Sequence, residues 1–168
     1  MRDEFTFSEL ETEKLNEALS LVRDVFLEYQ APDYSGEGVG RSPDGELLAH
    51  ASGVAEFLRF IEPEAIMDML SNNKMRIWTC DCNGEIIGVL AADNKHIYLL
   101  FVSGQYHRRG IARKLLDMMI EYYGPSEISV NSSPYAVEAY RRLGFADTGK
   151  EQVVNGLRFV PMKLCKED

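Results

Sequence analysis

The stretch from Met75 to Val102 limits the possible folds more than any other part of the chain, because it holds three strand-like runs in succession. The first two runs flank Asn83-Gly84, a pair typical of two-residue hairpin turns because both positions tolerate positive φ. The third run, 96–102, is apolar almost throughout, which predicts a strand buried on both faces. A sheet built on this meander needs helices to cover it.

Helical patterns on both sides of the meander supply those helices. Apolar residues from Leu15 to Tyr29 recur at intervals of three and four, as on one face of a helix. A second pattern covers 110–123, and a third follows Ser132 or Ser133 as helix caps. We therefore predict the α/β class: a mixed central β-sheet flanked by helices, with an N-terminal strand and helices, a three-strand meander, helix-strand-helix and a C-terminal hairpin.

Composition narrows the class of protein. The 168 residues, 45% of them hydrophobic and 27% charged, predict a single globular domain over 1–168. No apolar run is long enough to span a bilayer, and the acidic start is unlike a signal peptide, so we expect a cytoplasmic protein. The net charge of −9 argues against nucleic acid as the main partner. The pair Cys80 and Cys82 lacks nearby ligand partners, so we expect no metal site.

One local cluster runs against the acidic composition. Five basic residues fall within eight positions: His107, Arg108, Arg109, Arg113 and Lys114. They surround Gly110, where the polar turn after the third strand passes into a helix. The first amides of a helix have no internal partners and attract anions, and a glycine permits close approach of a phosphate. The pattern lacks both the P-loop lysine and the three-glycine dinucleotide fingerprint, so by itself it predicts an anion site and no more.

Two segments together resemble a known family. The stretch 106–116 resembles the acetyl-CoA signature Gln/Arg-x-x-Gly-x-Gly/Ala of the GNAT (GCN5-related N-acetyltransferase) superfamily. Asn131, followed by 136–145 with a tyrosine and a terminal Gly-Phe, resembles the second cofactor segment of that family. The order and spacing match, and one departure is His107, where the family usually has Gln or Arg. The resemblance implies the GNAT fold over nearly the whole chain.

The resemblance also implies a cofactor and the residues that hold it. The cofactor would be acetyl-CoA, with its pantetheine arm along the third strand of the meander and its phosphates at the basic turn. The residues implied are Leu100, Phe101, Val102, His107, Arg108, Arg109, Gly110, Ile111, Ala112, Arg113, Asn131 and Tyr140.

For the reaction, the resemblance implies direct attack of a primary amine on the thioester in a ternary complex. Tyr140 matches the family tyrosine that protonates the leaving thiolate, although a core aromatic is the alternative. His96 matches the position of a general base, and a solvent-facing strand-end histidine is an equally plain interpretation. Asp93, Glu62 and Tyr98 are other base candidates, and water alone is a further possibility.

The acceptor amine belongs to a small molecule or a peptide, and the sequence does not choose between them. We expect the early helices and the loop between them to contact it. Asp33, Tyr34 and Glu37 could bind a cation there, with a polar surface loop as the alternative. The other class of hypothesis is a catalytically silent acyl-CoA-binding GNAT module. Partners are thus acetyl-CoA and an amine, in a monomer or homodimer.

Overall fold

The computed structural model describes residues 2–31, 53–154 and 156–165, and Asp33, Tyr34 and Glu37 lie outside them. The strands are β1 (Phe5–Glu9), β2 (Arg76–Cys82), β3 (Glu85–Ala92), β4 (His96–Val102), β5 (Glu127–Ser132), β6 (Ala146–Asp147), β7 (Gln152–Val154) and β8 (Leu157–Cys165). The helices are α1 (Leu15–Val25), α2 (Gly53–Phe60), α3 (Pro63–Ser71), α4 (Ile111–Tyr123) and α5 (Val137–Arg142).

These strands form one mixed sheet in the order β1-β2-β3-β4-β5-β8-β6, with β7 paired to β8. All neighbours run antiparallel except β4 and β5, which are parallel. The β2–β3 hairpin turns at Asn83 and Gly84, with φ of 52° and 86°. The predicted α/β class and the element order are thus confirmed. The short strand β6, placed outside β8, was not predicted.

Helices cover both faces of the sheet and divide the core in two. One core lies between the sheet and α1, α2 and α3, and the other between the sheet and α4 and α5. Neighbouring residues of β3 belong to different cores: Val89 faces the first and Leu90 the second. Every residue of β3 after Glu85 is buried, because helices cover this strand on both sides.

β4 departs from its predicted burial on both faces. Its residues alternate between buried and half-exposed. The cause lies in its neighbour β5, which pairs with β4 only at His96–Ser129 and Ile97–Val130. No further β4–β5 pair forms within the part of the chain that the structure describes. The parallel pair therefore opens towards the carboxyl ends of its strands and leaves a gap in the sheet.

A bulge in β4 alters which side chains face each core. Ala91 of β3 pairs with Leu99, whereas Ala92 pairs with Ile97, so Tyr98 is the extra residue. Tyr98 and Leu99 consequently face the same core, that of α1 to α3. The bulge therefore directs Tyr98 to the edge of the gap, which strict alternation would not do.

None of the helices that these described residues form is long and apolar enough to cross a membrane.

Candidate active site

The gap between β4 and β5 opens into a cavity of about 490 Å³ that reaches both faces of the sheet. On one side it is bordered by α5 and the turn before it, and on the other by α2 and the helical turn Phe26–Gln30 that follows α1. The described lining residues include Phe26, Gln30, Glu56, Phe57, Phe60, His96, Tyr98, Leu100, Phe101, Asn131, Ser133, Ala136, Tyr140, Leu157, Arg158 and Phe159.

The free edge of β4 presents peptide groups to this gap. Ser103 donates its N–H to the Ile87 carbonyl on the β3 side, at 2.8 Å. Peptide groups alternate in direction along a strand, so Leu100 and Val102 direct theirs to the opposite, open edge. Their side chains pack against the α4–α5 core, while Phe101 belongs to the other core. Leu100 and Phe101 thus line the cavity from the two faces of the sheet.

The turn before α4 leaves its backbone accessible. Gly110 is the N-cap of the helix with φ of 82°, and no side chain caps the helix there. A Cβ added at Gly110 would meet nothing within 4 Å. Arg108 also has positive φ, at 61°. The start of α4 is thus uncapped and has open space at Gly110, as an anion site at a helix N-terminus requires.

The basic side chains of this turn do not all point at that space. Arg109 donates to Asp3 Oδ2 at 2.7 Å, with its guanidinium 4.9 Å from the Phe5 ring centroid. Arg113 donates to the carbonyls of Leu143 and Arg142, at 3.2 and 3.0 Å. Ile111 is buried in the core. These three residues support the turn from behind, and Arg108 is the exposed arginine with no partner among the described residues.

His107 ties the turn to β4. Its Nε2 lies 2.7 Å from the Val102 carbonyl oxygen, which can only accept, so Nε2 carries the proton and donates. The imidazole ring also lies 5.3 Å from the Tyr29 ring, which in turn stacks at 5.4 Å on Tyr135. Tyr29 belongs to a π-helical turn, Phe26–Gln30, that continues α1. In the structure His107 therefore connects the basic turn, β4 and α1.

Tyr140 lies on α5 with its side chain against the cavity. It is 7% exposed, and its ring packs edge-on against Phe145 at a centroid distance of 5.3 Å. Burial raises the pKa of its hydroxyl well above the ordinary value for tyrosine. The hydroxyl is therefore protonated throughout the physiological pH range and can act as a donor at the cavity wall.

His96 stands at the start of β4, where β4 and β5 still pair, and it also lines the cavity. The Ser129 hydroxyl donates to the Lys95 carbonyl at 3.3 Å, so its oxygen accepts the Nδ1–H of His96 at 2.7 Å. This arrangement leaves Nε2 as the basic nitrogen. Burial lowers the pKa of His96, more than the nearby Asp93 carboxylate raises it. The imidazole is therefore neutral at pH 7.

The other base candidates have different environments. Asp93 accepts the amides of Lys95 and His96 on Oδ1 and the Tyr98 hydroxyl on Oδ2, at 2.7 to 2.8 Å. Burial and this hydrogen bond raise the pKa of Tyr98 to about 12. Glu62 is exposed at the start of α3 and is not among the described lining residues. Among these candidates, only His96 combines a cavity position with a basic nitrogen that has no partner in the described part of the chain.

Several lining residues were not assigned to the site from sequence. Phe26 and Phe57 fall on the apolar faces of predicted helices, a pattern that indicates core packing and gives no hint of a cavity. Glu56 sits beside Phe57 as an ordinary helix-surface acid. Ser129 is outside the described lining but contacts His96, and in the sequence it looks like an ordinary polar residue in a short strand. Nothing local distinguishes these residues, because the gap beside them arises from the divergence of β4 and β5.

The cysteines form no second site in the described part of the chain. Cys80 and Cys82 are buried on β2 and Cys165 is exposed, all as free thiols. Burial raises the pKa of the Cys80 thiol to about 11, so it stays protonated. No cluster of three or more His, Cys, Asp or Glu side chains among residues 2–31, 53–154 and 156–165 could hold a metal ion.

Known proteins resemble this chain in sequence and in fold. The uncharacterized N-acetyltransferase YafP of Escherichia coli (strain K12) is 31% identical over 80 residues, which make up 48% of this chain. The aligned part spans only about half of that relative, 52% of its length. A GCN5-related N-acetyltransferase from Rhodopseudomonas palustris has a TM-score of 0.71 at 16% identity, over 99% of both chains.

A second solved structure is PaiA N-acetyltransferase from Thermoplasma acidophilum in complex with coenzyme A. Its TM-score is 0.67 at 15% identity, over 97% of this chain and 99% of that one. At such identities the likeness establishes the fold. The family model for the acetyltransferase (GNAT) domain matches residues 30–166, which is most of the chain. The chain therefore belongs to the GNAT family of acetyltransferases, whose cofactor is acetyl-CoA.

Proposed function

We propose that this protein is an acetyl-CoA-dependent N-acetyltransferase that transfers acetyl to a primary amine of a small molecule or peptide, by direct attack in a ternary complex. One observation carries the proposal: the cavity passes through the sheet between β4 and β5. Tyr140 lines the cavity on the α5 side, and His96 lines it at the closed end of the gap. Two reactants entering from opposite faces can meet at the same strand edge.

The residues around the gap fit acetyl-CoA. The turn at Gly110 has open space beside it and no side-chain cap, so the amides that open α4 can bind the pyrophosphate, and Arg108 can add charge. The open edge of β4 can pair with the peptide-like pantetheine arm through the peptide groups of Leu100 and the Val102 N–H, while the Val102 carbonyl accepts His107. Asn131 lies on the facing strand β5 and lines the cavity. When bound, acetyl-CoA supplies an activated acetyl thioester. A β4 N–H aimed into the gap can stabilise negative charge on its carbonyl oxygen.

Two side chains can handle the protons of the reaction. The basic Nε2 of His96 can accept a proton from the amine, directly or through water. Tyr140 holds a proton at its hydroxyl for the leaving sulfur. Since burial raises the pKa of Tyr140 and lowers that of His96, the first remains a donor and the second an acceptor at the same pH.

Replacing His96 should change the pH profile. Because the pKa of His96 is lowered, its Nε2 is still mostly unprotonated at pH 6.5, the ordinary midpoint for histidine, and takes up a proton only at lower pH. kcat/KM of the native enzyme should therefore fall on acidification with an apparent pKa below about 6.5. We expect kcat/KM of His96→Gln to be about 100-fold lower than native and to lose the fall at acidic pH. Steady-state kinetics from pH 5 to 9 measure both.

Ser129→Ala is the matched control, because it keeps the imidazole and removes only the Ser129 oxygen that accepts Nδ1–H. In this variant kcat/KM should still fall at acidic pH, but with a shifted apparent pKa. An unaltered profile and rate in His96→Gln would exclude the base role and leave deprotonation to water.

Release of CoA thiol from acetyl-CoA, followed across a panel of primary amines, tests the activity itself. We expect amine-dependent release with at least one class of amine, and N-acetylated product in equal amount by mass spectrometry. Tight binding of acetyl-CoA without turnover on any amine would contradict the proposal and favour a silent acyl-CoA-binding module.

A further inference from the structure

We infer that the acceptor is a small monoamine with an aromatic or similarly bulky apolar body. This inference rests on the proposed function and specifies its substrate class. The observation behind it is a surface that we call the aromatic wall: Phe26, Phe57, Phe60, Tyr98 and Phe101. All five rings line the cavity and pack with the core of α1 to α3, on the sheet face opposite Tyr140.

The rings of the wall support one another. Phe26 stacks on Phe57 with centroids 3.9 Å apart, and Phe57 meets Phe101 at 5.8 Å. Phe60 meets Tyr98 at 6.3 Å. Tyr98 reaches the wall because of the β4 bulge, and its hydroxyl is held by Asp93 at 2.8 Å. Phe26 and Phe101 are 1% and 6% exposed and back the wall from the core. Phe57, Phe60 and Tyr98 are only partly buried and present π faces and edges to the cavity, which suits an aromatic or alkyl body.

Charge at the cavity argues for a single positive group on the acceptor. Among the described lining residues the only carboxylate is Glu56, whose side chain is 39% exposed and lies 3.4 Å from Arg59. The lining also includes the guanidinium of Arg158, which pairs with Glu151 at 3.1 Å. One ammonium group can face Glu56 or a ring of the wall. Among the described lining residues, a polyamine would find no second carboxylate for its further charges.

The cavity volume favours a small acceptor. About 490 Å³ must also hold the end of the pantetheine arm, so a compact amine fills what remains. A peptide acceptor would additionally need partners for its own backbone amides and carbonyls, because polar groups left unpaired on binding reduce affinity.

The decisive measurement is kcat/KM at saturating acetyl-CoA for four acceptors: phenethylamine, n-butylamine, spermidine and a short peptide with a free N-terminus. We expect phenethylamine to exceed each of the others by roughly tenfold or more, from burial of its ring and contact with the wall. A preference for spermidine or for the peptide would overturn the inference while leaving acetyl transfer intact.

Substitutions in the aromatic wall test whether it causes the preference for phenethylamine. Phe60→Leu should raise KM for phenethylamine roughly fivefold, change KM for n-butylamine less, and leave CoA affinity unchanged. Tyr122→Leu is the matched control: Tyr122 is 50% exposed on α4, packs on Trp78, and should leave both KM values unchanged. Equal effects of Phe60→Leu on both amines would contradict recognition by the wall.

A binding experiment separates this inference from the proposed activity. Phenethylamine should raise the melting temperature of the CoA-bound protein more than spermidine does at equal concentration. This difference should appear whether or not acetyl is transferred. Selective binding without thiol release would overturn the activity and keep the aromatic site. An equal or larger shift with spermidine would overturn the aromatic site.

Discussion

Gly110→Asp should weaken binding of coenzyme A by at least about 100-fold while the protein remains folded. Gly110 is the N-cap of α4 with φ of 82°, and its missing Cβ leaves open space before the first helical amides. An aspartate there places a carboxylate among the amides that would bind the pyrophosphate, and it can accept their hydrogen bonds itself. Two like charges about 4 Å apart repel by about 4 kcal/mol near a protein surface, which exceeds a 100-fold loss. Isothermal titration calorimetry measures the affinity.

The same helix supplies the control. Gly124 caps the other end of α4 with φ of 59°, and a Cβ there also meets nothing within 4 Å. Both substitutions carry the strain of a left-handed non-glycine residue, about 1 to 2 kcal/mol. An acidic group suits the N-terminus of a helix and opposes the C-terminus, so Gly124→Asp should be the less stable variant.

Only Gly110→Asp should lose the cofactor. Gly110→Asp should therefore be the variant with the weaker coenzyme A affinity, and Gly124→Asp the variant with the lower stability. Coenzyme A affinity within a factor of three of native in folded Gly110→Asp would contradict the assignment of the phosphate site.

Tyr140→Phe should lower kcat by about 100-fold and leave cofactor affinity within about threefold. The ring stays in its place against Phe145, so packing is retained, and only the hydroxyl at the cavity wall is lost. Burial keeps that hydroxyl protonated, so the native kcat should show no fall from Tyr140 ionisation up to pH 10. Single-turnover and steady-state kinetics together distinguish an effect on chemistry from one on product release.

Tyr123→Phe is the comparison variant. Tyr123 is half-buried on α4, packs edge-on against Trp78, and is not among the described cavity residues. It should keep the native kcat. If Tyr140→Phe also keeps it, Tyr140 is a packing residue and the leaving thiolate takes its proton from water.

The sequence predicted the frame of the fold well, because its strongest signals are local. β3 and β4 begin and end where the apolar runs do, and the hairpin turn falls on Asn83 and Gly84 with positive φ at both. Ser133 caps the turn before α5 by accepting the Ala136 amide at 3.3 Å, one of the two serines proposed. α4 begins at Ile111 directly after its glycine cap. Each of these depends on residues a few positions apart.

The site was predictable only in part. The position of Gly110 at a helix start follows from local sequence, and so does Tyr140 on the inner face of α5. Sequence did not reveal that Arg109 pairs with Asp3, more than 100 positions away, or that Arg113 donates to carbonyls at the end of α5. These arginines have the same local pattern as Arg108, which has no partner in the described chain.

By itself, then, the sequence determined every strand except β6, the helices, the glycine at the start of α4 and the family to which the chain belongs. The tertiary structure decided what the site can hold. β4 and β5 diverge after two residue pairs, and the bulge turns Tyr98 to the gap. Those two features bring together an aromatic wall, a histidine fixed by Ser129 and a buried tyrosine from four separate elements. Strand divergence depends on packing against both cores at once, so no short stretch of residues encodes it.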